Sequence, residues 1–139
     1  MAIRITLPRR KARFTADRRG AAAMEFALLL PLLSLMLTSV WQYGALFFSY
    51  NMMLTAARDG ARALANESAT EAEVIANAKA NIPGWLPVDD VTVVARSAAT
   101  TGTSRVDVRV TAPAAKATII NIGPMPETIE AFVTMEREI

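Results

Sequence analysis

With 139 residues, 15 Lys or Arg against 13 Asp or Glu, and neither histidine nor cysteine, the chain has room for one compact unit and a narrow range of chemistry. The side chain that titrates near neutral pH, the commonest metal ligand and the thiol nucleophile are all missing, which excludes a disulfide framework or a structural zinc site. The net charge of +2 hides an asymmetry: residues 1–20 hold seven cations and one anion, a surplus of +6, so the remainder carries −4.

The basic arm comes first, with Arg4, Arg9, Arg10, Lys11, Arg13, Arg18 and Arg19 against Asp17. A basic arm can bind nucleic acid, but one set against a hydrophobic run fits a cytoplasmic anchor that fixes membrane orientation, and no nucleic-acid partner is expected. From Phe26 to Ala57 there is no charged side chain. The most apolar part, Phe26 to Phe48, reaches about 34 Å at about 1.5 Å per residue, enough for a hydrocarbon core of about 30 Å. Trp41, Tyr43, Phe47, Phe48 and Tyr50 crowd its far end, where amphipathic rings favour the membrane interface. Basic residues inside and aromatics outside put the C-terminus across the membrane. A cleaved secretory signal is disfavoured, because its apolar region is about 7–15 residues long and precedes a small-x-small site; this run is longer and no such site follows it.

Beyond the span the pattern turns amphipathic. Tyr50, Met53, Leu54, Ala57, Ala61 and Leu64 form an apolar stripe, and Asn51, Thr55, Arg58, Arg62 and Asn66 a polar one. One helix is predicted from about residue 21 to 66, loosened or kinked at Pro31 by the missing N–H. Gly60, which costs about 1 kcal/mol relative to alanine in a helix, marks either close packing or a tolerated glycine. Thr70 and Glu73 fit a capping box ahead of a short helix over about 71–81, closed by Pro83-Gly84. The period then becomes two. Strands are predicted around Val91–Ala95, Val106–Ala112 and Ile129–Met135, the first two joined by the loop SAATTGTS and the last two by TAPAAKATIINIGPMPE, with a short apolar insert at Ile119–Ile122. The expected organisation is a basic leader at 1–20, a transmembrane helix at 21–50 and an extracytoplasmic domain at 51–139. That domain is α+β: a long helix and a short one on a small antiparallel sheet of about three strands. At this size its core is marginal, so the helix leaving the membrane should form part of it.

Glu25 poses the sharpest question, since an ionised residue deep in lipid costs about 2.5–3.5 kcal/mol and asks for a partner. One answer is the positive end of a helix, a contribution of about 0.3–1 kcal/mol. The other is a cut after Gly20. The new α-ammonium on Ala21, with an ordinary pKa of about 7.7–8.0, would then be charged and could neutralise Glu25 on its own helix or on a neighbour. Such a cut also removes the basic arm and so releases the helix end from the cytoplasmic surface. Glycine before the cut suits an enzyme that grips extended backbone closely.

The series Arg18-Arg19-Gly20-Ala21-Ala22-Ala23-Met24-Glu25-Phe26-Ala27-Leu28-Leu29-Leu30-Pro31 resembles the class III (prepilin-type) leader junction of TadE-like pseudopilins. Ala56-Ala57-Arg58-Asp59-Gly60-Ala61-Arg62-Ala63 resembles that family's second recurrent stretch. The resemblance covers about residues 18–65 and implies a pilin-like, minor subunit of a tight-adherence (Flp-type) pilus system. It implies cleavage after Gly20 by a membrane aspartyl prepilin peptidase, a role for Glu25 in assembly, and partners among other pilins, pseudopilins and the inner-membrane assembly platform, with membrane lipid around the span. Phe26, where short major pilins usually carry tyrosine, and the sizeable C-terminal domain set the chain apart from them. A TadF-like protein fits the size equally.

The remaining signals are weaker. Arg58 and Arg62 lie one turn apart as a solvated face, or as a docking point for partner subunits; Gly60 and Ala61 suit helix packing. Asp89-Asp90 reads as a turn before a strand, without the further oxygen ligands that calcium needs. No cofactor, metal or catalytic residue is expected, and no Gly-x-Ser-x-Gly elbow supports a hydrolase on a membrane stalk. The rival to a processed subunit is a permanently anchored envelope scaffold or binding domain that keeps its basic arm.

Overall fold

A computed structural model describes residues 18–100 and 103–138. The basic arm up to Asp17 and the centre of the loop expected between the first two strands, Thr101-Gly102, lie outside the described residues. The protein is α+β: α1 (Arg18–Ala65), α2 (Glu71–Ala80), then β1 (Thr92–Thr100), β2 (Thr103–Pro113) and β3 (Thr128–Glu138). The chain divides into two units between Met36 and Leu37, so α1 contributes its first turns to one and its remainder to the other.

Helix α1 runs 48 residues and continues through Pro31. It ends in a Schellman motif. Ser68 N–H donates to the Ala63 carbonyl at 2.9 Å and Glu67 N–H to that of Leu64 at 3.0 Å, with Glu67 in the left-handed region at φ 55°. Helix α2 starts at the predicted capping box. Glu73 N–H donates to the Thr70 hydroxyl at 3.3 Å, while Thr70 N–H donates to the Glu73 carboxylate at 2.8 Å. Asn81 is the C-cap, its backbone N–H making the last helical bonds to the Ala78 and Asn77 carbonyls. A turn closed by Leu86 N–H on the Pro83 carbonyl at 2.9 Å sends Leu86 into the core and leaves Trp85 40% exposed. Asp89 and Asp90 lie in a 3-10 turn, Val88–Asp90, directly before β1.

The sheet has the order β1-β2-β3, antiparallel throughout. Register places Val93 opposite Val110 and Val110 opposite Ala131, with Ala95, Val108 and Val133 one step along. These residues alternate with an outer row in which Arg105 pairs with Glu136, Thr134 donates to Asp107 at 2.7 Å, and the Arg109 guanidinium lies 5.0 Å from the Phe132 ring centre. The first two strands run longer than their apolar alternation suggests. Ser97–Thr100 and Thr103-Ser104, assigned to a loop in the sequence reading, continue the ladder from Ser97 opposite Val106 up to Thr100 opposite Thr103. Short polar residues carry no periodicity to read, yet their backbones complete the ladder.

The inner valines of the sheet share one core with Met53, Ala57, Ala61 and Leu64 of α1 and Val74 and Ala78 of α2. Gly60 fixes how near the two helices come. A methyl group at Gly60 would lie 2.6 Å from Val74 Cγ1 and 3.8 Å from Val108 Cγ1. Between close packing and a tolerated glycine, the geometry selects close packing, and the neighbour is Val74. An acidic side chain ties α2 to the sheet edge, since Ser97 N–H donates to the Glu71 carboxylate at 2.8 Å.

Two outcomes follow from this packing. Alanine at Gly60 gains about 1 kcal/mol of helix propensity but meets a stiff β-branched side chain, and overpacking costs about 1–3 kcal/mol. Gly60→Ala should therefore lower stability in urea unfolding, and the same substitution should become stabilising in a Val74→Ala background. The capping hydrogen bonds, first from the Thr70 backbone and then from its hydroxyl, hold the Glu73 carboxyl below its ordinary pKa. Folding lowers this pKa, so the contribution is present above the unfolded value and lost as pH falls through the folded one. The stability deficit of Glu73→Gln at neutral pH should accordingly close on acidification, read as converging urea midpoints.

Candidate functional site: the apolar helix and the loop that clasps it

Gly20, Ala21, Glu25 and Phe26 are all exposed on α1. Gly20 is helical, and among the described residues no atom outside its own stretch of helix lies within 4 Å of the position its Cβ would take. The helix is already formed at Arg18, its first described residue, ahead of the predicted residue 21. Glu25 sits seven positions beyond Arg18, the first described residue of α1. The effect of a helix end fades within one turn, so the start of this helix does not account for Glu25. Ala21 and Glu25 are four apart on one face. Beyond them Phe26, Leu28, Leu29, Leu32 and Leu33 are each more than half exposed. Among the described residues one helix is long and apolar enough to cross a membrane, and it is this one.

In the second unit α1 acquires a buried edge far earlier than the stripe beginning at Tyr50 suggests. Gln42, Leu46, Ser49 and Met53, spaced four, three and four apart, are buried, and the segment between β2 and β3 bonds to two of them. Gln42 Oε1 accepts from Ile122 N–H at 2.9 Å, Ser49 Oγ donates to the Ala117 carbonyl at 2.7 Å, and Tyr43 Oη donates to the Pro124 carbonyl at 3.4 Å. Trp85 Nε1 also donates to Ala117, at 3.3 Å, while its ring stands 5.5 Å from that of Phe48. The segment is pinned at its root by Ala114 and Ala117, both fully buried, and by Ala114 N–H donating to the Glu127 carbonyl at 3.2 Å. Gln42 Nε2 is the one buried side-chain polar atom without a partner among the described residues.

Arg58 and Arg62 are exposed and form no ion pair among the described residues, whereas Gly60 and Ala61 are buried. Asp59, Gly60, Asn77 and Asn81 border a groove of about 360 Å³ between α1 and α2. Asp90 lies 3.9 Å from Lys116. Among the described residues no group of three acidic side chains comes together as a metal site would require.

The clasp was missed in the sequence reading because each of its parts looks unremarkable alone. Gln42 and Ser49 are uncharged residues inside an apolar run, and Ile119–Ile122 lies in a segment without periodicity. The available signal was their spacing of seven, which puts two polar groups on one helix edge with Leu46 between them.

Residues 20–62 match the family described as TadE-like protein. The match begins at Gly20 and ends at Arg62, so it takes in the Gly-to-Glu junction and the Arg58–Arg62 stretch and leaves out α2 and the sheet. No curated protein and no solved structure matches the chain.

Removing the Gln42 side chain takes away the partner of the part-buried Ile122 N–H. Gln42→Ala should speed amide exchange at Ile122 while leaving the amides of β2 protected.

Proposed function

We propose that this chain is a minor, pilin-like subunit that takes part in building a tight-adherence (Flp-type) pilus, made as an inner-membrane precursor and cut after Gly20. The observation carrying this reading is the Gly20-to-Glu25 spacing at the head of an uncharged run, within a segment that matches the TadE-like family. The basic arm holds the precursor with its N-terminus cytoplasmic and its α+β domain beyond the membrane. A prepilin peptidase hydrolyses the Gly20–Ala21 bond. The freed Ala21 ammonium then lies one turn from the Glu25 carboxylate. Either that pair or its counterpart on a neighbouring helix neutralises a charge that lipid or an apolar bundle penalises, and so fixes axial register between subunits. Phe26 extends the apolar surface next to the pair, and exposed Arg58 and Arg62 offer cations to partner subunits. The role is structural rather than catalytic, and it calls for no cofactor.

N-terminal sequencing of the chain from envelope material should give Ala-Ala-Ala-Met-Glu, beginning at Ala21. An intact basic arm in cells with an active prepilin peptidase would instead favour a permanently anchored scaffold. Gly20→Val should block cleavage and leave membrane insertion intact. Glu25→Ala should be cut normally yet fail to restore piliation to a deletion strain, and full rescue would remove the assigned role of the carboxylate.

A further inference from the structure

The clasp leaves a belt of apolar side chains facing outward. Trp41 is 63% exposed, Phe48 51%, Ile119 56% and Ile122 46%. Leu37, Trp41, Phe48, Trp85 and Ile119 line a groove of about 590 Å³ with no charged residue in its wall. A soluble domain seldom leaves such a surface uncovered.

Building on the membrane-crossing reading of α1, we infer that the belt is a second membrane contact, in which the second unit sets Trp85, Ile119 and Ile122 into the interfacial layer of the bilayer, against the acyl chains nearest the glycerol. Three observations favour lipid as the occupant. By chain count, about 20 helical residues cross a hydrocarbon core of about 30 Å; counted from Phe26, the first residue of the uncharged run, they end at Ala45, which itself lines the groove. The outer boundary of the bilayer therefore falls at the level of the belt. Next, the loop turns part of its backbone toward the helix. Surface loops usually leave their backbone groups to solvent, whereas here Ile122 N–H, the Ala117 carbonyl and the Pro124 carbonyl are taken up by Gln42, Ser49, Trp85 and Tyr43, while the apolar side chains of Ile119 and Ile122 stay exposed. Finally, Trp41, Tyr43 and Trp85 are amphipathic rings of the kind that concentrate at interfaces, and Trp85 lies 35 or more residues beyond the span in sequence.

Trp41 and Trp85 are the two tryptophans of the chain, so Trp41→Phe makes Trp85 the sole reporter. The full chain carrying Trp41→Phe is reconstituted in phosphatidylcholine vesicles, with and without lipids brominated near the glycerol. Trp85 emission should be quenched by the brominated chains and shielded from aqueous acrylamide. Adding Ile119→Asp and Ile122→Asp should reduce the lipid quenching at least about twofold, since charge is expelled from the apolar layer, while the protein stays in the vesicle pellet. Free access of acrylamide without lipid quenching would overturn the inference, with the domain standing clear of the bilayer. Shielding without lipid quenching, growing with the protein-to-lipid ratio, would overturn it in favour of a second copy in the groove. Recovery of an unprocessed N-terminus would count against cleavage after Gly20 and leave the Trp85 signal unchanged, so the two readings fail separately.

Discussion

The second unit depends on a short distance: α1 and α2 approach until Val74 occupies the space of a side chain that Gly60 lacks. Around that point α1 presents Ala56, Ala57 and Ala61, all buried, and so brings its backbone close while the valines of β2 reach up from the sheet. Small residues here are what a domain of this size needs. With few residues to bury, it fills its core with the helix that also carries the apolar run, and a bulkier side chain at the contact would hold the layers apart.

That economy makes a single helix serve two environments. Toward its start α1 is apolar on every side, as a helix surrounded by lipid must be. From Gln42 onward one edge is buried under protein while Trp41, Phe47 and Phe48 still face outward. The change is gradual rather than abrupt, because the loop between β2 and β3 reaches back along the helix and bonds to Gln42 and Ser49. Membrane-like and domain-like surfaces thus overlap along the stretch from Leu37 to Phe48.

Glu25 and the clasp illustrate opposite ways of accommodating polarity in apolar surroundings. In the clasp, side-chain amide and hydroxyl groups meet backbone groups inside one chain, and Gln42 Nε2 alone is left over. Among the described residues Glu25 has no such provision: it is exposed, one turn past Ala21. A carboxylate left outward on an apolar helix is suited to a partner that arrives later, whether a new terminus or another subunit.

Periodicity and chemistry read from the chain were enough for the elements. The apolar stripe marked the end of α1 to within a residue, Thr70 and Glu73 marked the start of α2, and alternating apolar residues marked three strands and which of their faces is buried, because each of these signals is local. The Gly20-to-Glu25 spacing was equally plain, since it is a matter of sequence distance, and the TadE-like match over residues 20–62 rests on the same stretch. Tertiary structure alone decided the rest: that Ser97–Thr100 continues a strand, that Gly60 faces Val74, and that Gln42 and Ser49 hold a loop some 70 to 80 residues away. Those contacts join residues with no common period, and only the folded chain brings a helix edge and an irregular loop within hydrogen-bonding distance.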